Sequence, residues 1–444
     1  MSFIEKIYNI APVCIQNVMC SVKGYLIYRR RYNKSFFKHL EMYEKRKYDP
    51  KQRLTEFMNH IKDVPFYKKI YQQYNFDANA ADIYEEITKL PIINKETVKN
   101  NIKQITNPFY KGKVNKMKTS GTTGGGLVFP YSEDMENQHW AIWWRYRRWH
   151  GIKLDTWYGH FSGLTMIPLQ QRKPPYWRVN TPGKQVRFSA YHLNNDTVKY
   201  YYDEIKKRQL TWLHGYPSQI SVLAALMIEK GLTPIQSVTH ITTSAENLLE
   251  NQKEILKKAF PKAIIRQHYG QMEGVAGISE DAQGNFAVDD DFCYIEFLPV
   301  DNNPNLCRII GTGIANEAFP LVRYDTGDLA NIETSADGTV KIIAIDGRKE
   351  DFISMPNGVK IGRLDYIFRT LTNVREAQIH QKDLHHIVFN IVKGNGYTDA
   401  DERALLNEIR KRIDHSVEIN INYLDKIERT PSGKLRFVVS DLNH

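Results

Sequence analysis

Cysteine is scarce, with four in 444 residues: Cys14, Cys20, Cys293 and Cys307. No two of them form a Cys-x-x-Cys pair and the count is too low for a secreted disulfide scaffold, so reduced thiols and a cytoplasmic protein are expected. Long apolar runs are missing too. The longest, near residues 220–228, stops at Glu229 and is far short of the roughly 20 residues a spanning helix needs. The N-terminus lacks the basic start, apolar run and small-residue cleavage site of an export signal. No internal repeat or low-complexity run is present, which argues against a solenoid.

Acidic residues are in deficit, 50 against 61 lysines and arginines, and the net charge of +11 favours anionic partners such as nucleotides, anionic lipid or nucleic acid. Tyrosine, arginine and lysine interleave over residues 26–48, but no nucleic-acid-binding motif accompanies them, so no nucleic-acid partner is expected. Within that stretch Leu26 to Lys34 (LIYRRRYNK) has two readings: peripheral contact with an acidic membrane surface, or a solvated helix face.

What is present is material for a large core: 42% of residues are hydrophobic and 25% charged. That length and composition suggest one large and one small domain. Residues 1–118 read as a helix-rich lead-in, with apolar Leu54, Phe57, Met58 and Ile61 at helical spacing. From Trp157 to Ile345, short β-type runs (His240 to Thr243, Ala263 to Arg266, Cys307 to Gly311, Thr339 to Ile345) alternate with helical stretches (Pro217 to Lys230, Leu249 to Ala259). This alternation predicts an α/β fold with a substantial sheet. Asp346-Gly347 is a strong turn signal, and a hinge is expected just after it, giving domains 1–346 and 347–444. The second reads as a small α+β domain, with helices at Gly362 to Leu371 and Asp401 to Ile413 and strands at His386 to Lys393 and Val417 to Tyr423.

Five segments carry chemistry. Thr119 to Gly126 (TSGTTGGG) alternates hydroxyls and glycines, so backbone amides and side-chain oxygens can both approach an anion; a phosphate cradle and a flexible surface loop are equally good readings. The Walker A order is absent. Gln267 to Gly274 (QHYGQMEG) follows a β-type run and offers an aromatic face at Tyr269 and a hard-cation ligand at Glu273, although each residue alone is ordinary for a core or a surface. Arg323 to Asp328 (RYDTGD) sets two carboxylates on a turn, where one can grip ribose hydroxyls. Asp346 to Asp351 (DGRKED) and Glu428 to Arg436 (ERTPSGKLR) are charged turns, the second with a lysine able to enter as a mobile cation.

Taken in order, these segments resemble the motifs of the acyl-adenylate-forming superfamily. The branch resembled is the phenylacetate-CoA ligase family, and within it the CapK-type proteins encoded with capsule and surface-polysaccharide genes. Asp63 to Tyr67 (DVPFY), Leu90 to Glu96 (LPIINKE) and His214 to Ser218 (HGYPS) are similar to that branch's other signatures. The resemblance implies a large N-terminal adenylate-forming domain of mixed sheets and helices and a small mobile α+β C-terminal domain.

Residue by residue it implies that Ser120, Gly121, Thr122, Thr123 and Gly124 hold the ATP phosphates, Thr122 among the catalytic residues. Ser244, Ala245 and Glu246 would flank the adenine together with His268, Tyr269 and Gly270. Glu273 would bind magnesium. Asp328 would hold the ribose with help from Arg348, Glu350 would be the interdomain hinge, and Lys434 the lysine inserted for adenylation. Two departures stand out: Met272 replaces a phosphate-contacting hydroxyl, and Ala245 replaces a glycine. The acid pocket is expected from His160, Phe161, His214 and Tyr216, for each of which a core or structural role is an equal reading.

The implied activity is ATP-dependent activation of a small carboxylic acid as an acyl-adenylate, with pyrophosphate released and the acyl group passed to coenzyme A, an amine or a sugar. The CapK-type resemblance places this in surface or capsular polysaccharide biosynthesis. Two alternatives stay open: amide formation on a uronate sugar, and a catalytically degenerate adenylate-former acting as a scaffold.

Overall fold

The computed structural model describes residues 3–118, 127–163, 166–168, 170–300, 303–335, 337–348, 353–356, 360–361, 364–368, 371, 373–410, 412–413, 415–430 and 435–442. The class is α/β, and the chain divides into two compact units. One comprises Met1–Leu26, Asp155–Gln267 and Asp346–His444, the other Ile27–Leu154 and His268–Ile345.

The first unit contains a sheet with strand order Trp177–Asn180, Gln185–Ser189, Tyr158–Ser162, Trp212–Gly215, His240–Ser244, followed by the first residues of Ile264–Gly270. Its inner pairs are parallel, and Trp177–Asn180 runs antiparallel at the edge. Parallel strands are buried on both faces, and most of the side chains on these strands are buried. Phe161, Leu213 and Ile241 have no exposed surface and pack with Ile220, Leu223 and Leu256 from the helices Pro217–Glu229 and Glu250–Ala259. Helix Pro217–Glu229 starts where it does because Pro217 supplies a helical φ at a position with no amide to satisfy. Gly215 just before it is required: a Cβ there would lie 1.8 Å from the Phe161 carbonyl oxygen.

The same unit holds the C-terminal four-stranded sheet, in the order Glu418–Tyr423, His386–Lys393, Val374–Gln381, Val438–Ser440. Ile387, Phe389 and Ile391 alternate inward along one strand and pack on Leu405 and Ile409 of the helix Asp399–Arg410.

The second unit is built on a mostly antiparallel sheet of Cys293–Val300, Asn303–Gly313, Leu321–Thr334, the strand Val340–Arg348 as far as Ile345, Phe286–Val288 and Gly277–Glu280. The lead-in helices from Lys34 onward belong here. Pro50–Ile61 buries Leu54, Phe57, Met58 and Ile61, the four residues whose spacing marked it. Arg323 ties lead-in to sheet: its guanidinium pairs with Glu296 and donates to the carbonyls of Thr88 and Leu90.

Two sequence expectations fail. Asp346-Gly347 is no turn, because both residues lie within the strand Val340–Arg348. An Asp-Gly pair closes a hairpin only where the flanking strands pair with each other. Within the helix expected at 362–371, the described residues Leu364–Phe368 form a 3-10 helix. Its apolar stripe is real: Leu364, Ile367, Phe368 and Leu371 are all buried.

Candidate functional site

The residues of one candidate cluster sit on a bulge in the second unit. Along the strand Leu321–Thr334, Asp325 pairs with Ile310 and Leu329 with Arg308, so the three residues between them on this strand oppose the single Ile309 on the other. The excess loops out at Thr326-Gly327-Asp328, with Gly327 at φ +74°. Such a bulge re-aims a side chain out of the ladder. Here it presents Asp328 to Tyr269, near the end of the strand Ile264–Gly270: the Tyr269 hydroxyl donates to Asp328 Oδ2 at 2.7 Å.

Gln271 Nε2 donates to the same oxygen at 2.6 Å and to the Tyr269 hydroxyl at 3.2 Å. Burial first, and the Asp328 carboxylate second, hold the Tyr269 phenol well above its ordinary range, so it stays a protonated donor. Gln271 Oε1 is buried and has no hydrogen-bond partner among the described residues. Sequence reasoning missed Gln271, because it occupies the variable position of its motif. Met272 is exposed, Glu273 is half-buried, and Gly270 ends the strand in the open.

His268 faces the other way, as the two-residue period of a strand requires. It is buried against the Trp143 ring at 4.3 Å between centroids, and its Nε2 lies 3.4 Å from Asp289. Asp289 and Asp291 both pair with the buried Arg145. Burial pushes the Asp291 carboxyl up to about 6. For Asp289 burial is outweighed by His268, Arg145 and Ser279, and its carboxyl lies below the ordinary range. His268 therefore has a structural environment that its place in the adenine motif did not suggest.

In the first unit, His160 and His214 are register partners on parallel strands, and their rings stack at 5.8 Å. His214 is fixed through Nδ1 by the Thr242 hydroxyl at 2.9 Å. Phe161 points to the opposite face, wholly buried and stacked on Phe188 at 4.9 Å. Tyr216 is half-buried at the N-cap of helix Pro217–Glu229, its phenol pushed up by burial and then by Glu246.

Ser244-Ala245-Glu246 leaves the end of the strand His240–Ser244, and Ala245 adopts φ +69°, the left-handed region that disfavours a Cβ. This is the position where the resembled motif has glycine. The turn delivers Glu246 to the N-terminus of helix Pro217–Glu229, where it accepts from the Ser218 amide at 3.3 Å. A carboxylate is favoured there by the helix dipole.

The other Glu246 oxygen accepts from the Leu435 amide at 2.7 Å, next along the chain from Lys434. On the far side of the same segment, Arg429 donates to the Ser218 hydroxyl at 3.1 Å and pairs with Glu376. Arg375 pairs with Glu229 at the other end of the helix. Arg429 and Leu435, on either side of residues 431–434, are thus both clasped. Burial raises the Glu246 carboxyl, against the Ser218, Leu435 and Arg429 donors that favour its charge. Sequence pattern gave Glu246 only an adenine-flanking role, and the clasp had no signal short of the fold.

Ser120, Gly121, Thr122, Thr123, Gly124, Glu350 and Lys434, together with the Arg348 side chain, lie outside the described residues. Strands Val114–Lys118 and Val128–Ser132, which flank the glycine-rich segment, pair antiparallel with Lys118 opposite Val128. No group of three or more potential metal-ligating His, Cys, Asp or Glu side chains occurs among the described residues.

Comparison with known proteins agrees with this architecture. The family model of the CapK C-terminal domain matches residues 353–441. Protein CapK of Staphylococcus aureus is 28% identical over 98% of this chain and 99% of its own length. Indoleacetate–lysine synthetase of Pseudomonas savastanoi is 26% identical over 47% of this chain and 52% of its own. Among solved structures, 2-hydroxyisobutyryl-CoA ligase in the postadenylation state with 2-HIB-AMP superposes with a TM-score of 0.65 at 15% identity, covering 88% of this chain and 89% of the other. The fold is that of the adenylate-forming ligases.

Proposed function

We propose that this chain, a CapK-like member of the acyl-adenylate-forming superfamily, activates a carboxylic acid with ATP and hands the acyl group to a nucleophile. The observation that carries the reading is the Tyr269–Gln271–Asp328 cluster, in which a protonated phenol, an amide and a carboxylate converge on the bulge at Thr326 to Asp328. Its chemistry fits a nucleoside: an aromatic face for the base, and the acceptor oxygens of Asp328 and Gln271 for ribose hydroxyls, the second of these buried without a partner among the described residues. Ser244 to Glu246 would flank the adenine, the Ser120 to Gly124 segment would hold phosphate, and Arg348 would assist at the ribose.

Glu273 offers a half-buried carboxylate that suits magnesium, which takes one or two protein oxygens beside phosphates and water. When bound, that ion neutralises phosphate charge. In the first step the acid's carboxylate oxygen bonds to the α-phosphorus and pyrophosphate leaves. Lys434, whose neighbour Leu435 is clasped by Glu246, would stabilise the charge that develops there. In the second step the acceptor attacks the acyl carbon, the bond to the AMP oxygen breaks, and the acceptor's proton is released. Residues 347–444 would act as the lid, with Glu350 at its hinge.

His160, His214 and Tyr216 are the polar groups that would face an acid pocket, and the buried Phe161 would form the wall behind it. The names of the relatives support two acceptor classes, coenzyme A and an amine. A sugar acceptor, an amide on a uronate and a place in capsular polysaccharide assembly rest on the CapK likeness. The strained Ala245 and the exposed Met272 favour, as second reading, a weakened or non-catalytic scaffold. A cytoplasmic setting is consistent with the free cysteines and with no described helix being long and apolar enough to cross a membrane.

The test is pyrophosphate release from Mg-ATP across aryl acids, fatty acids, amino acids and uronates, with hydroxylamine as trap, in wild type and Lys434→Ala. Release with one acid class that disappears in the variant supports the proposal. ATP binding with no release from any acid supports the scaffold.

A further inference from the structure

The N-terminal helix Val13–Arg31 packs inside out. Its inward face is polar and meets the edge strand Trp177–Asn180. Asn17 Oδ1 accepts from the Val179 amide at 2.9 Å, Ser21 Oγ donates to the Val179 carbonyl at 3.3 Å, and Gln16 is buried as an acceptor for Arg178. Gly24 completes the seat, because a Cβ there would lie 1.9 Å from Asn180 Oδ1. These contacts satisfy the backbone groups of a sheet edge, which explains why polar residues are turned inward.

The consequence is an apolar outer face. Ile15, Val18, Val22, Tyr25 and Leu26 fall at i, i+3, i+7, i+10 and i+11 on one stripe, and they are 47%, 59%, 57%, 49% and 64% exposed. The preceding helix Phe3–Ile10 adds Ile4, Ile7 and Ile10, all exposed. Scattered exposed apolar residues need no explanation, but a contiguous stripe does.

Charge selects the occupant. Residues 11–40 contain no aspartate or glutamate and six lysines and arginines. Arg30 and Arg31 pair with Glu136 at 2.8 and 3.1 Å, and Lys23 and Arg29 are exposed beside the stripe. A second copy of the chain, docked stripe to stripe, would bring like charges together. An anionic bilayer surface offers both an apolar layer and opposite charge, and Tyr25 suits its headgroup boundary.

We propose that the Ile15–Leu26 face of helix Val13–Arg31 docks on an anionic lipid surface, lying in the plane of the interface. This moves the membrane contact N-terminal to the LIYRRRYNK segment singled out in the sequence. It is independent of the ligase reading.

The test is co-sedimentation of the full chain with phosphatidylcholine vesicles, with and without a third phosphatidylglycerol. Binding to the anionic vesicles that weakens with salt is expected. Val18→Asp with Val22→Asp should cut it at least tenfold, and Lys23→Gln with Arg29→Gln about fivefold per charge removed. Both pairs are outward-facing, and circular dichroism melting checks that they fold; Val18→Ser with Val22→Ser serves as a milder pair. Absence of vesicle binding, or binding untouched by the valine variants, overturns the proposal. So does a concentration-dependent dimer, or a complex with an acidic protein, that the valine variants abolish while vesicle binding is absent.

Discussion

Replacing Glu246 by alanine removes the acceptor for the Leu435 amide at 2.7 Å and a weaker one for the Ser218 amide at 3.3 Å. A hydrogen bond to a charged group is worth about 1.5–3 kcal/mol net, and the longer bond adds little. Against this stands the cost of burying the carboxylate, visible in the upward push on its pKa. The balance is about 1–2 kcal/mol, a roughly 5- to 30-fold shift toward the unclasped segment. Amide hydrogen exchange at Leu435, read by fragmentation mass spectrometry, should accelerate by that factor. Adenylation should slow in parallel, while acyl transfer from a supplied acyl-adenylate should not. Glu246→Gln keeps a carbonyl acceptor and should recover most of the protection. Unchanged exchange at Leu435 in the alanine variant would refute the clasp; equal losses in both half-reactions would refute its link to Lys434.

Ala245→Gly relieves a left-handed backbone at φ +69° and should stabilise the protein by about 1 kcal/mol in chemical denaturation; no gain would mean that the strain is absorbed elsewhere. Tyr269→Phe removes one donor to Asp328 and Asp328→Ala removes the acceptor itself, so ATP affinity by calorimetry should fall modestly in the first and at least tenfold in the second. Asp291, pushed up to about 6, binds its proton more tightly folded than unfolded, so its contribution to stability is full below about pH 4 and is lost as pH rises through 6. Wild type should therefore gain stability relative to Asp291→Asn, by at most about 3 kcal/mol, as pH falls from 7 to 4 in denaturant titrations. A difference that is flat with pH contradicts this.

Much of the fold was legible where periodicity was strong. The stripe Leu54, Phe57, Met58, Ile61 marks a helix and the inward residues of HIVFNIVK mark a strand, because each pattern has one burial solution. Asp346-Gly347 misled because turn chemistry is permissive and the ladder decides. Helix Val13–Arg31 hid its orientation, since its inward face is chosen by a sheet edge distant in sequence. At the site, Tyr269 and Asp328 could be named from motif order. Their contact through Gln271 needed the bulge at Thr326 to Asp328, and the clasp on Leu435 needed two segments 189 residues apart.

The central claim is that an acid oxygen bonds to the α-phosphorus of ATP. The most direct measurement labels both carboxylate oxygens of the accepted acid with oxygen-18 and weighs the AMP formed after transfer to the acceptor. One labelled oxygen in AMP is predicted, because the acyl–oxygen bond breaks in the second step. Unlabelled AMP, or label recovered in inorganic phosphate alongside ADP, would contradict it.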